Sequence, residues 1–250
     1  MAVRKLLGIT IVAVLALVLA APIPANGQQL EYPSTRTVDH VDDYHGTLVA
    51  DPFRWLEDTN SEETAAWVEA QNAITFAYLD AIPEREWIRQ RLTDLWDYER
   101  FGTPYQDGGR YFYSKNDGLQ NQSVYYTLTS LDAEPEVLLD PNTMSEDGTV
   151  SAYPLDISED GKYMVYSVAK SGSDWREFYV RDVETKQDLD DHLEWIKFSG
   201  ASWTQDGAGF FYSRYTEPTE GETYEEANRN QRLYYHRFRS SVPCDTFSLP

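Results

Sequence analysis

An Asp-Gly turn followed by a strand of alternating aromatics occurs three times in this chain. It reads Asp107-Gly108-Gly109-Arg110-Tyr111-Phe112-Tyr113-Ser114, then Asp160-Gly161-Lys162-Tyr163-Met164-Val165-Tyr166-Ser167, then Asp206-Gly207-Ala208-Gly209-Phe210-Phe211-Tyr212-Ser213. The phrases start about 50 residues apart, the period of one four-stranded propeller blade. A β-sandwich also has short strands and turns, but it lacks a fixed repeat. A propeller needs about four to eight blades to close and protect its edges. Three phrases in 250 residues therefore predict a mainly β fold that is only part of a ring.

From Phe101 onward apolar residues recur with period two. The strands expected are Arg110–Ser114, Ser123–Leu128, Val137–Leu139, Tyr163–Val168, Glu177–Val183, Trp195–Phe198, Gly209–Ser213 and Leu233–His236. They are rich in Tyr, Phe and Val, as half-buried strands are. Ser158 to Thr204 reads as one whole blade. Upstream the period is helical. Thr59 with Glu62 forms a capping box opening a first helix, with Trp67, Ala70, Ile74 and Ala77 on one face. Pro83 suits the first turn of a second helix, whose stripe is Ile88, Leu92 and Leu95. Two such helices cannot form a core alone and must pack on something else. The expected divisions are 1–27, 28–100, 101–236 and 237–250. The last is an atypical tail, read as a truncated or out-of-frame end against the alternative of a terminal loop, where the acidic bias fades, the single Cys244 appears and no blade pattern resumes.

Arg4-Lys5, the apolar run Leu6–Ala21 and the small residues Ala25-Asn26-Gly27 read as an export leader cleaved near Gly27. Localisation is then periplasmic or extracellular, with no stable membrane association after cleavage. The alternative is an uncleaved anchor, for which the run is marginal in length. The chain holds 21 Lys+Arg and 42 Asp+Glu, and the leader takes two of the basic residues and none of the acidic ones. A surface this acidic argues against nucleic acid and anionic lipid as partners. One cysteine allows no internal disulfide. His40, His45, His192 and His236 lack ligand spacing, so neither a metal nor another cofactor is expected.

No catalytic set is legible. Gly-x-Ser-x-Gly, which a hydrolase of the α/β type needs to expose its serine, is absent, and Ser199-Gly200-Ala201-Ser202 lacks the spacing. Phosphate-loop, dinucleotide and zinc-helix motifs are also missing. Catalytic residues expected in this chain: none.

Longer phrases carry a family resemblance. Asp51-Pro52-Phe53-Arg54-Trp55-Leu56-Glu57-Asp58, Gln71-Asn72 and Tyr78-Leu79 resemble the N-terminal lead of the prolyl oligopeptidases. Gly118-Leu119-Gln120-Asn121-Gln122-Ser123, Leu139-Asp140-Pro141-Asn142, Gly172-Ser173-Asp174-Trp175, Lys197-Phe198-Ser199-Gly200 and Trp203-Thr204-Gln205-Asp206-Gly207 continue it in order, as far as Leu233-Tyr234-Tyr235-His236. The resemblance implies about three blades of a seven-bladed propeller, preceded by two helices. It further implies that the catalytic α/β-hydrolase domain lies outside this sequence. The family's activity is serine-type hydrolysis of short peptides after proline, with the propeller as substrate gate, so short proline-containing peptides are the partners implied. Phe198 resembles the propeller aromatic lining the subsite beyond the proline pocket. Asp174 resembles an acidic residue near the propeller–hydrolase interface. Without the resemblance Phe198 reads as blade core and Asp174 as a turn cap. A fragment inactive by itself is one reading; a secreted, non-enzymatic propeller-type binding module is the other. A sister family that cuts after basic residues fits the Gln-Asn-Gln-Ser and Gly-Ser-Asp-Trp phrases less well.

Overall fold

The computed structural model describes residues 30–219, 228–239 and 245–246. The expected leader and most of the expected tail lie outside them. The chain divides into two compact units, residues 1–88 and 89–250.

The first unit opens on a hairpin of β1 (Val41–Tyr44) and β2 (Thr47–Ala50). His45 and Gly46 turn it with φ of 56° and 91°, the doubly left-handed turn that matches strand twist. After a 3-10 turn at Arg54–Glu57 comes helix α1, Glu62–Asp80. Arg36 ties this unit together: its guanidinium donates to both Glu63 oxygens at 2.6 and 2.8 Å and lies 4.8 Å over the Trp55 ring. Trp67 Nε1 donates to Thr35 Oγ1 at 2.9 Å, which fixes the stripe side of α1. Trp67, Ala70 and Ile74 are half-buried there, while Ala77 is exposed. Helix α2 runs from Arg85 to Trp96, and the division between units falls inside it. Trp87, Ile88, Leu92 and Leu95 are all exposed along it.

The second unit contains three antiparallel sheets, each a chain-order meander. The first joins β3 (Arg100–Phe101) and β4 (Tyr105–Asp107) to β5 (Arg110–Asn116), β6 (Val124–Leu128) and β7 (Glu136–Leu139). β3 and β4 both pair with β5, as one inner strand interrupted at Gly102-Thr103-Pro104. The second sheet is β8 (Val150–Ile157), β9 (Tyr163–Lys170), β10 (Arg176–Asp182) and β11 (Asp188–Ile196). The third is β12 (Ala201–Trp203), β13 (Gly209–Arg214), β14 (Arg232–Arg237) and β15 (Asp245–Thr246). These are three successive blades of a partial propeller.

Period two explains how the blades stack. On β9, Met164, Tyr166 and Val168 point into a core with Phe112, Leu138 and Leu139 of the first blade. Val165, between them, points the other way into a core with Phe178, Val180, Trp203, Phe210 and Tyr212. One strand thus feeds two inter-sheet cores through alternate residues, so the middle blade is apolar on both faces. Each Asp-Gly phrase turns the first strand of a blade into the second, with φ of 50° at Gly108, 70° at Gly161 and 65° at Gly207. Neighbouring inner strands are also pinned directly, because Trp203 N donates to Asp156 Oδ2 at 2.8 Å. Burial pushes the Asp156 carboxyl above the ordinary aspartate value despite that bond. It also pushes the Tyr105 hydroxyl of β4 up to about 12, helped by Asp107 and Asp156.

Several expectations need correction. The complete blade spans Val150–Ile196, not Ser158–Thr204, because the Asp-Gly turn follows a blade's first strand and does not open the blade. That first strand, β8, has no regular alternation in the sequence, because Pro154 interrupts its pattern at a register shift. β11 begins at Asp188 and stops at Ile196, so the strand expected at Trp195–Phe198 is only its end. The cap of α1 is Ser61, whose hydroxyl accepts from Thr64 N at 3.1 Å, not Thr59. Pro83 lies two residues before α2. The blade pattern also continues past His236. Phe238 packs 4.4 Å from Tyr163, and Asp245–Thr246 pairs with β14 as a fourth strand.

Candidate functional site

The second and third blades share an edge where three aromatics, Trp175, Trp195 and Tyr215, meet. It is formed by the start of β10, the end of β11 and the end of β13. Arg176 pairs with Ile196, the last pair between β10 and β11. Asp174 and Phe198 each lie two residues beyond that pair, so both sequence-derived site residues reach the same sheet edge. Asp174 is exposed, and so is Phe198, at 67 % of its surface. Phe198 is therefore not blade core. It does not extend the strand either, since its backbone is left-handed at φ 53°.

Trp195, three residues earlier, has φ 64°. Between the pairs Phe178–Leu193 and Arg176–Ile196, β10 contributes one residue and β11 contributes two. Glu194 and Trp195 thus form a bulge. Bulges re-aim a side chain out of its regular face, and a bulky residue at positive φ is uncommon and costly. Two such residues, both aromatic, occur here: Trp195 inside the end of β11 and Phe198 two residues beyond it. The tertiary structure holds them there: Tyr215 N donates to Trp195 O at 2.9 Å, Ser213 N donates to Ser199 Oγ at 2.8 Å, and Gln231 Nε2 donates to Lys197 O at 3.0 Å.

Trp175 is the centre of the cluster. Trp195 meets it edge-on at 5.8 Å and Tyr215 at 6.2 Å. Lys197 Nζ sits 3.8 Å from the centroid of its ring and donates to Asn228 Oδ1 at 3.0 Å. Lys197 itself is only 8 % exposed. Trp175 also separates two hollows. A cleft of about 320 Å³ is lined by Trp175, Tyr215, Thr216, Pro218, Asn228 and the Arg229–Asn230 pair. A smaller one, about 160 Å³, lies among Lys170, Ser173, Trp175, Glu177, Glu194 and Trp195. Burial raises the Glu177 carboxyl, but hydrogen bonds from Lys170, Tyr179 and His192 outweigh it and hold the carboxyl below its ordinary value.

The sequence reading named Phe198 and Asp174 and missed Trp175, Trp195, Lys197 and Tyr215 as parts of the same edge. The available signal was the density of aromatics beside those two residues; what hid it was the bulge, which no period reveals. Elsewhere a buried acid–base pair exists: His236 Nε2 lies 2.6 Å from Asp191 Oδ1, with the ring 5.1 Å from Phe210. It is enclosed between β11 and β14, with side-chain exposures of 7 % and 3 %, and holds those strands together. Among the described residues, no three or more His, Cys, Asp or Glu side chains gather as a metal set.

Comparison with known proteins bears on the fold and the family. The prolyl endopeptidase of Elizabethkingia meningoseptica is 43 % identical over 234 residues, covering 94 % of this chain and 33 % of the relative. Prolyl oligopeptidase A of Amanita bisporigera is 36 % identical over 244 residues, covering 86 % and 32 %. A structure from a study of two prolyl endopeptidases and their inter-domain dynamics superposes with a TM-score of 0.76 at 32 % identity, covering 86 % of this chain and 32 % of the other. Prolyl oligopeptidase B of Galerina marginata, bound to a 25-residue macrocyclization substrate, gives a TM-score of 0.70 at 30 % identity, covering 84 % and 32 %. The chain spans about a third of the length of the curated relatives it matches. The model of the prolyl oligopeptidase N-terminal beta-propeller domain matches residues 32–247, and the chain belongs to that family.

Proposed function

We propose that this chain is the propeller portion of an exported, proline-specific serine peptidase, and that its edge at Trp175, Trp195 and Phe198 faces the peptide substrate. The observation that carries the reading is the pair of strained, left-handed aromatics at the end of β11, one of which, Phe198, leaves 67 % of its surface open. A strained position persists only where surrounding structure over-determines it, and such positions cluster at ligand clamps. Phe198 then packs against the peptide beyond its proline, and Asp174 contributes a charge where the propeller meets the catalytic portion. The propeller acts as a gate that admits short peptides and excludes folded proteins. The chain by itself is inactive, since no nucleophile elbow is encoded in it.

The test is direct. Purified chain should hydrolyse a Gly-Pro chromogenic amide no faster than buffer does, and a serine-directed fluorophosphonate should leave it unlabelled. Specific labelling of one serine in this chain would falsify the reading. Export is checked separately by mass spectrometry of the secreted product, which should begin near Gln28. Intact Met1 on a soluble cytoplasmic product contradicts it.

A further inference from the structure

We infer that the cleft beside Trp175 is a carboxylate subsite, which selects peptides carrying an acidic side chain at a fixed distance from their proline. The inference rests on the peptide-facing reading of this edge. It starts from a contrast of charge. The chain carries twice as many acidic as basic residues, yet among the described residues the cleft's lining contains Arg229 and no Asp or Glu.

Behind that lining sits Lys197. Its contacts at Nζ are neutral: the Asn228 amide oxygen at 3.0 Å and the face of Trp175 at 3.8 Å. Among the described residues no carboxylate pairs with it. A buried ammonium without a counter-ion is costly. It has three donors, and the ring face and the amide oxygen occupy two directions. The residues it touches, Trp175 and Asn228, are themselves walls of the cleft. A carboxylate entering there gains a buried cation on one side and the exposed Arg229 at the mouth. Trp175 and Tyr215 cover the apolar part of the incoming residue, and Asn228 and Asn230 offer amide donors. The chain's overall negative charge does not forbid this. Charges more than about 8 Å away are largely screened at physiological salt, whereas a partly buried pair is not.

The experiment titrates the full chain with acetylated, amidated peptides, read by tryptophan fluorescence and calorimetry. Ac-Glu-Ala-Phe-Gly-Pro-NH2 is compared with its Gln and Lys counterparts, and the Glu is then moved stepwise along the peptide. The Glu peptide should bind about tenfold or more tightly than the Gln peptide, as a hydrogen bond to a charged group provides. The preference should peak at one position of the Glu. Arg229→Gln, at an exposed site, should cut the preference at least threefold while leaving affinity for the Gln peptide unchanged. Lys197→Gln should abolish it. Equal binding of the Glu, Gln and Lys peptides overturns the inference and leaves the peptide-facing reading standing. Binding of none of them overturns both. Arg229→Gln carries the decision if the buried Lys197 variant fails to fold.

Discussion

Gly161→Ala should be among the most damaging single-methyl additions to this protein. Two physical terms act there. The first is backbone: Gly161 has φ 70°, and placing a side chain in that region costs about 1–2 kcal/mol. The second is contact. A Cβ at Gly161 would lie 2.8 Å from the carbonyl oxygen of Gly108 and 3.0 Å from its Cα, so the turns of two neighbouring blades approach backbone to backbone. A backbone cannot swing aside as a side chain can, and relieving the overlap means separating the blades. Overpacking of this kind costs about 1–3 kcal/mol, which brings the total to about 2–5 kcal/mol. Gly207 offers the matched control. It occupies the same place in the third phrase with φ 65°, yet a Cβ there meets nothing within 4 Å. Gly207→Ala should therefore cost the backbone term alone. Urea denaturation followed by circular dichroism, with both variants beside the native chain, separates the two terms. Equal midpoints for Gly161→Ala and Gly207→Ala would refute the argument that the phrases mark blade-to-blade contacts.

Two further outcomes are expected. Ser61→Ala should destabilise the first unit by about 1 kcal/mol through loss of the bond to Thr64 N, whereas Thr59→Ala should change stability by less than about 0.5 kcal/mol; thermal melts distinguish them, and the reverse order contradicts the cap. Asp156 titrates above its ordinary value in the folded chain. Its contribution is thus fully present below the ordinary aspartate value and is lost as pH rises through the raised one. The stability difference between Asp156→Asn and the native chain should accordingly move in the variant's favour as pH rises from about 4 to 7. A difference that stays constant across that range contradicts the burial argument.

The second unit was legible in the sequence because its two signals are local. The near-continuous apolar run in Tyr163–Val168 reports a strand that is buried on both faces, and Asp-Gly reports a left-handed turn. The phase of the blade was not legible, since a repeat shows its period without showing where each unit begins. β8 was hidden by Pro154, and β12 by its three-residue length. The candidate edge was legible only in part. Phe198 and Asp174 could be named from the phrases around them. Lys197 and Trp175 meet only because β10 and β11 pair in antiparallel register, and Trp195 joins them only through a bulge. Register and bulges are properties of the paired sheet, and no single strand carries them.

The most direct test of the whole account is a hybrid enzyme. Residues 32–247 of this chain would replace the matched third of the Elizabethkingia meningoseptica prolyl endopeptidase, and hydrolysis of a Gly-Pro chromogenic amide would be measured. Fluorophosphonate labelling would report that the relative's catalytic serine remains competent. The account predicts that the hybrid labels and cleaves after proline, and that Phe198→Ala within it raises KM at least threefold with little change in kcat. A hybrid that labels fully yet shows no proline-directed cleavage would contradict it.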